Sequence, residues 1–321
     1  MPSEAVKGKC MKPQVLVRVP FPPESIALLE EDFEVHYAPT PDELEAAIRA
    51  VGPRVRAVVA NGSIGLKGEH IRAMPELEII HTVGVGFEQI DLETARARKI
   101  SVATNVGTNA TSVAEHAMAL LLAVTRDVPA ADRATRAGQW NEARFPRPLI
   151  AEKRVGIIGL GEVGTRVAKR AEAFEATVGY HNRKPKEGTA YTYYASPLAL
   201  AEASDVLVVS CPGGPETKGM VNREVLRALG PAGVLVNVGR GSVVDTDALV
   251  EALRDKTIAG AGLDVWAGEP VLPDSLVEAP NLVLSPHIAG RSPEAVLAAR
   301  RQISRNLKAH FSGGDVLHRI L

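Results

Sequence analysis

Residues 154–164 read RVGIIGLGEVG, an apolar strand-like run that breaks into three closely spaced glycines. Gly159-Leu160-Gly161-Glu162-Val163-Gly164 fits G-x-G-x-x-G, a pattern too short to carry meaning by itself. Its setting supplies the meaning, because Val155–Ile158 is apolar before it and TRVAKRAEAF continues it with helical spacing. In such a strand–turn–helix unit the first glycine makes the tight turn and the second lets backbone approach a pyrophosphate. The third lets helix and strand pack closely. The helix N-terminus then offers unpaired N–H groups to the phosphates. The stretch predicts a parallel α/β fold built around a dinucleotide.

The next strand ends in Tyr180-His181-Asn182-Arg183-Lys184. An NAD site is expected to carry an acid there for the ribose hydroxyls. No acid is present; His181 stands near its place, with Arg183 and Lys184 as cations and Asn182 as a neutral donor. A ribose 2′-phosphate is repelled by a carboxylate and attracted by guanidinium and ammonium groups. The turn therefore favours NADP(H) over NAD(H), mainly through Arg183, although Lys184-Pro185-Lys186 would also suit an ordinary solvated turn.

Outward from this centre the chain alternates short apolar runs with helical stretches, the pattern of parallel sheets covered by helices. QVLVRV, EVHYA, VRAVVAN, LEIIHTVGVG and ISVATN are strands in the first part; ATVGY, VLVVSCP, GVLVNVG, IAGAGLDV and NLVLSPH follow the glycine turn. PESIALLEE, PDELEAAIRAV, GEHIRAMP and DLETARARK are helices, and a terminal helix runs from Ser292. A long helix is expected from Ser112, where Ser112 and Glu115 fit a capping box. Its run Ala117–Val124 is apolar almost without a gap. Burial between domains and burial between subunits would both explain that run.

With 321 residues, the chain is longer than one ordinary core wants, so two domains are expected. The formal net charge of −1 gives no field for nucleic acid or an anionic membrane. Ala117–Val124 also falls far short of the roughly 20 residues a membrane span needs. The leader MPSEAVKGKCMKP lacks the long apolar segment of an export signal, and a cytoplasmic protein is expected. Cys10 and Cys211 build neither a disulfide framework nor a metal site.

Three further segments fall at predicted strand ends, where open α/β sheets hold ligands. They are NVGRGSVVD with Arg240, GLDVWAGEP with Asp264 and Glu269, and LSPHIAG with His287. Arginine, carboxylate and histidine together suit reduction of a 2-oxo acid. Arg240 can fork onto the carboxylate and polarise the carbonyl. His287 can give a proton to the developing alkoxide, and Glu269 can hold the imidazole and stabilise its charge. Cys211 has no adjacent base and is expected to fill space, and Trp266 is expected to pack, or to line the pocket.

At these residues the sequence resembles the NAD(P)-dependent D-2-hydroxyacid dehydrogenases, in particular their glyoxylate/hydroxypyruvate reductase branch. HTVGVGFEQID, GLGEVG, NVGRGSVVD, GLDVWAGEP and LSPHIAG occur in the family's order across nearly the whole chain. The resemblance implies Arg240, Glu269 and His287 as the catalytic set. It implies that Val83, Gly84, Val85 and Gly86 offer backbone N–H groups to the substrate carboxylate. Asp264 is implied at the nicotinamide carboxamide and Thr111 near the phosphates. Cys211, Pro212, Thr217, Val238, Gly239, Arg240, His287 and Gly290 are implied as further cofactor neighbours, and no metal is implied. The implied architecture is two doubly wound, Rossmann-like domains. A flavodoxin-like substrate domain would span 1–105 and 293–321, and a dinucleotide-binding domain 106–292. A homodimer through the helix around 112–126 is implied, and Trp140 matches a position common in the family.

The segment Cys211-Pro212-Gly213-Gly214-Pro215-Glu216-Thr217 departs from the Pro-Leu-Thr-Pro-Glu-Thr of many relatives, and the proline often found after Asn105 is missing. No regulatory domain is expected after Leu321. Hydroxyphenylpyruvate is the main competing substrate, which VGVGFEQ does not discriminate. A rival of another class is a dinucleotide-sensing corepressor, against which the lack of long polar tails counts.

Overall fold

The computed structural model describes residues 12–62 and 64–321, so most of the leader lies outside the described residues. The chain divides into two units: the part up to Thr108 together with Val296–Leu321, and Asn109–Ala295.

The first unit contains β1 (Gln14–Val17), α1 (Pro23–Glu30), β2 (Glu34–Tyr37), α2 (Pro41–Val51) and β3 (Val55–Ala60). It continues with α3 (Gly68–Arg72), β4 (Ile79–Thr82), α4 (Leu92–Ala97) and β5 (Ser101–Ala103). Its sheet is parallel throughout, in the order β2-β1-β3-β4-β5. That is the flavodoxin-like doubly wound order. Successive side chains of a strand point to opposite faces, so apolar runs such as VRAVVA serve two cores at once. Leu16, Val58 and Ile80 join Leu44 and Ile48 on one face. Val15, Val17 and Val59 join Leu29, Ile303 and Leu307 on the other.

The second unit holds α5 (Ala110–Thr125), α6 (Val128–Arg136), β6 (Arg154–Ile158), α7 (Glu162–Ala173), β7 (Thr177–His181) and β8 (Thr192–Tyr193). There follow α8 (Pro197–Glu202), β9 (Val206–Val209), α9 (Arg223–Leu229), β10 (Val234–Asn237) and α10 (Thr246–Arg254). The last elements are β11 (Gly260–Leu263), α11 (Asp274–Val277), β12 (Leu282–Leu284) and α12 (Pro293–Phe311), which from Val296 belongs to the first unit. The seven strands are parallel in the order β12-β11-β10-β9-β6-β7-β8. The chain starts at β6, builds outward through β7 and β8, then returns to β9 on the other side. That reversal opens a crevice at the carboxyl ends of β6 and β9, where such sheets bind ligands.

The long helix differs from the sequence expectation. It begins at Ala110, with Asn109 before it and no side-chain cap, so Ser112 lies inside it. The Ser112 hydroxyl donates to Ala289 O at 2.6 Å, and Glu115 pairs with Arg170 at 2.9 Å. Tertiary partners have taken both halves of the expected capping box. Half of the apolar run of α5 is buried within its own unit, where Ala117 and Leu121 pack with Val155, Ile157 and Val167, while Ala119 is exposed. Helix α6, which the apolar pattern did not disclose, has no buried residue. Among the described residues no helix is long and apolar enough to cross a membrane.

Candidate active site

The glycine turn follows β6 at the crevice. Gly159 has φ +99, and a Cβ there would stand 2.7 Å from Cys211 N, so the turn after β6 lies directly against the loop after β9. A Cβ at Gly164 would stand 2.2 Å from Gly159 O, which shows how closely helix and turn pack. At Gly161 a Cβ would meet nothing within 4 Å. The middle glycine thus faces open space at the start of the 12-residue helix α7, as a pyrophosphate requires. Glu162 turns along the helix and pairs with Arg166 at 2.5 Å, and Leu160 and Val163 support the turn from the apolar side.

After β7, Asn182 Oδ1 accepts the N–H of Leu160 at 2.7 Å, so this side chain holds the glycine turn in shape. Arg183 is largely exposed, with its guanidinium 3.4 Å from Glu216, and Lys184 is exposed beside it. Lys186, which the sequence left to a solvated turn, reaches back over the turn. Its Nζ donates to Leu160 O at 3.1 Å and to Thr165 Oγ1 at 3.0 Å. Cationic groups and a helix N-terminus with open space before it form a donor set that fits a dinucleotide phosphate.

Cys211 is buried, and that burial pushes its thiol up to about 11, as a space-filling role requires. Thr217 Oγ1 donates to Pro212 O at 3.0 Å and closes the 212–217 loop on itself. A Cβ at Gly213 would stand 3.1 Å from Arg240 Cγ, so the glycine that departs from the family pattern lets this loop lie against Arg240. Past β10, Val238 N bonds to Val209 O and Gly239 N to Asn237 Oδ1. Asn237 Nδ2 holds Arg240 O at 3.1 Å, and Arg240 Nη1 donates to Gly239 O at 2.9 Å. Trp266 packs against the core, and its Nε1 donates to Val271 O.

Arg240, Glu269 and His287 follow three neighbouring strands, β10, β11 and β12. His287 Nδ1 lies 2.8 Å from Glu269 Oε1. A carboxylate at Nδ1 accepts the N–H of that nitrogen and leaves Nε2 as the nitrogen available for chemistry. His287 is in the left-handed region at φ +53, an uncommon conformation for a residue with a side chain. Its N–H bonds to Asp264 O at 2.9 Å. The Asp264 carboxylate is buried, and its Oδ1 accepts Ser285 Oγ at 2.6 Å and Ile288 N at 2.9 Å. Oδ2 accepts Ala289 N at 2.9 Å. Burial alone would raise this carboxyl, but hydrogen bonds from His116, Ser285, Ala289 and Ile288 outweigh it and hold it below its ordinary value. A Cβ on Gly290 would stand 2.6 Å from Asn109 Nδ2, which brings the 287–290 turn against the start of α5, where Thr111 is exposed.

In the first unit, Val83–Gly86 follows β4. Val83 N bonds to Ala60 O, and the carbonyl of Gly84 accepts Thr82 Oγ1 and Asn105 N. Among the described residues nothing accepts the N–H groups of Gly84, Val85 and Gly86. A Cβ at Gly84 would meet nothing within 4 Å, so these donors lie along open backbone.

A doubly wound sheet with a glycine turn at its reversal, and a carboxylate–histidine pair after the second and third strands beyond β9, defines a dinucleotide-dependent oxidoreductase. Residues 118–289 match the D-isomer specific 2-hydroxyacid dehydrogenase, NAD binding domain, and the chain belongs to that family. It is 43% identical over 264 residues to a hydroxyphenylpyruvate reductase of Plectranthus scutellarioides, covering 82% of this chain and 84% of that one. It is 39% identical to glyoxylate/hydroxypyruvate reductase A of Arabidopsis thaliana, covering 90% of this chain and 93% of the other. A solved NADPH-dependent glyoxylate/hydroxypyruvate reductase of Sinorhizobium meliloti, in complex with NADP and malonate, superposes with a TM-score of 0.89. That pair is 40% identical, with 96% and 97% of the two chains covered.

Proposed function

We propose that the protein reduces a small 2-oxo acid, glyoxylate or hydroxypyruvate, to the D-2-hydroxy acid with NADPH in preference to NADH. The observation that carries this reading is the His287–Glu269 pair at 2.8 Å, beside an arginine on the neighbouring strand end. The nicotinamide, when bound, supplies the hydride. His287 Nε2 gives the proton to the developing alkoxide, and Glu269 fixes the ring and stabilises the imidazolium before transfer. Arg240 holds the carboxylate and polarises the carbonyl. The N–H groups of Gly84, Val85 and Gly86 are carboxylate donors of the first unit, as the family resemblance implies.

The preference for NADP(H) is supported by the absence of an acid at the end of β7 and by Arg183 and Lys184 in that turn. The pair with Glu216 does not oppose this, since an exposed ion pair is worth little and the guanidinium leaves it readily. NAD(H) remains the alternative cofactor. We place the enzyme in the cytoplasm as a homodimer formed around residues 112–126. Val128, Trp140, Phe145 and Leu149 are exposed apolar residues just beyond, an unusual density for a surface left to water. Light scattering on the purified chain should give twice the mass of 34.1 kDa.

The test of function is loss of NADPH absorbance with glyoxylate, hydroxypyruvate and hydroxyphenylpyruvate in turn. His287→Ala should lower kcat by about 100-fold or more, with the Kd for NADPH within about twofold of wild type. Tight NADPH binding without turnover of any 2-oxo acid would instead favour a sensor.

A further inference from the structure

We infer that His116 and Ser285 are positioning residues that hold the His287 turn in its working geometry through the buried carboxylate of Asp264. The inference rests on the assignment of His287 as the general acid. The partners of His116 lie far from it in sequence. In the structure its Nε2 lies 2.7 Å from Ser285 Oγ and 3.5 Å from Asp264 Oδ1.

The direction of each proton follows from the donors available. Asp264 is ionised and can only accept, so the one hydroxyl proton of Ser285 lies on the 2.6 Å bond to Oδ1. Ser285 Oγ must then accept from His116, which fixes Nε2 as a proton-bearing nitrogen of that imidazole. The order of donation is His116 to Ser285 to Asp264. Asp264 in turn takes the N–H groups of Ile288 and Ala289, the two residues directly after His287.

These bonds matter because the turn is not one the chain adopts freely. His287 has φ +53, and its own N–H is bonded to Asp264 O. Asp264 therefore grips residues 287, 288 and 289 with backbone and side chain together. A left-handed histidine persists only where its surroundings over-determine it. Deleting the outer donors leaves a carboxylate that must rotate to recover partners, which releases two of these three bonds. Ser112 lies one helical turn before His116 and donates to Ala289 O at 2.6 Å. One face of α5 thus holds the turn at both positions.

Neither His116 nor Ser285 needs to touch substrate for this role, and the effect belongs to the proton-transfer step. The test is His116→Leu, His116→Gln and Ser285→Ala in the full chain, assayed with NADPH and glyoxylate beside His287→Ala. His116→Leu and Ser285→Ala should lower kcat by about 10- to 100-fold, the scale of a small displacement of a catalytic group. The Kd for NADPH and the KM for glyoxylate should stay within about threefold, and the solvent deuterium isotope effect on kcat should rise. His116→Gln, whose amide can still donate to Ser285 Oγ, should recover kcat to within about threefold of wild type. A residue that only stabilised the fold would lower the melting temperature and leave the isotope effect unmoved, which overturns the inference. If His287→Ala is inactive while the other variants keep wild-type kcat, the relay fails and the acid assignment survives. Wild-type kcat in His287→Ala removes both.

Discussion

His81 and His287 are the same side chain put to opposite uses, and the difference lies in what surrounds the ring. His81, in β4, is fully buried, with Nδ1 2.9 Å from Thr82 O and Nε2 2.9 Å from the side-chain amide of Asn306. A carbonyl on one nitrogen and an amide donor on the other fix a neutral tautomer. Burial is the main cause that lowers its pKa from 6.5 to about 4, aided by His318 and opposed by the bond to Thr82 O. The unfolded chain therefore takes up a proton in this window that the folded chain refuses. Stability from neutral His81 is fully present above pH 6.5 and is lost as pH falls from 6.5 to about 4. The loss is on the order of 3 kcal/mol for the first unit. Imidazole chemical shifts at pH 5 should report His81 uncharged in the folded chain. A charged His81 at that pH would show the assignment to be wrong. Asp264 acts in a separate window: its lowered pKa contributes stability above the ordinary carboxylate range and loses it only at more acid pH.

At the scale of the element, two helices with similar sequence signals behave differently. Helix α2 runs over Pro41–Val51, the span the sequence predicts, because Thr40 and Glu43 cap each other reciprocally and the capping partners are local. Ser112 and Glu115 present the same pattern, yet their partners Ala289 and Arg170 are far away in sequence and move the helix start to Ala110. His116 was unreadable for the same reason, since Ser285 is 169 residues away. The glycine turn, by contrast, was legible because its requirements are met by neighbours: strand, turn and helix are contiguous. The basic turn after β7 was legible in composition only. Arg183 is exposed and paired weakly, whereas Lys186 is committed to Leu160 O and Thr165 Oγ1. Two different outcomes are expected. Replacing Arg183 and Lys184 together with alanine should raise the KM for NADPH at least about tenfold more than that for NADH, through loss of charge-assisted bonds to the 2′-phosphate. Lys186→Ala loosens the turn itself, so KM should rise about tenfold for both cofactors alike. Equal effects of the first replacement on NADPH and NADH would remove the phosphate-reading role from Arg183 and Lys184.

At the scale of the whole molecule, the alternation of strands and helices was enough to announce two parallel sheets, because each strand is buried on both faces and reads as an unbroken apolar run. Which unit carries which duty follows from where the loops fall. All the residues proposed to neighbour the dinucleotide, from Thr111 to Gly290, lie in Asn109–Ala295, and so does the His287–Glu269 pair. That unit is one continuous stretch, whereas the first is assembled from two. Both faces of its sheet are covered from within the stretch itself: α5 and α7 residues such as Leu121 and Val167 cover one, and Leu200, Leu226 and Leu249 of α8, α9 and α10 cover the other. A stretch whose sheet is covered on both faces by its own helices can fold alone. The fragment 109–295 should therefore be monodisperse, melt cooperatively and bind NADPH with a Kd within about tenfold of the full chain. At 100 times its Kd, NADPH should stabilise the fragment by about 2.7 kcal/mol, visible as a rise in melting temperature. It should turn over no glyoxylate, because the carboxylate donors proposed at Gly84–Gly86 belong to the other unit. Calorimetry with and without NADPH, followed by the absorbance assay, distinguishes the cases. A folded fragment that fails to bind NADPH would mean the dinucleotide site needs residues of the first unit, and the division of labour between the units would have to be redrawn.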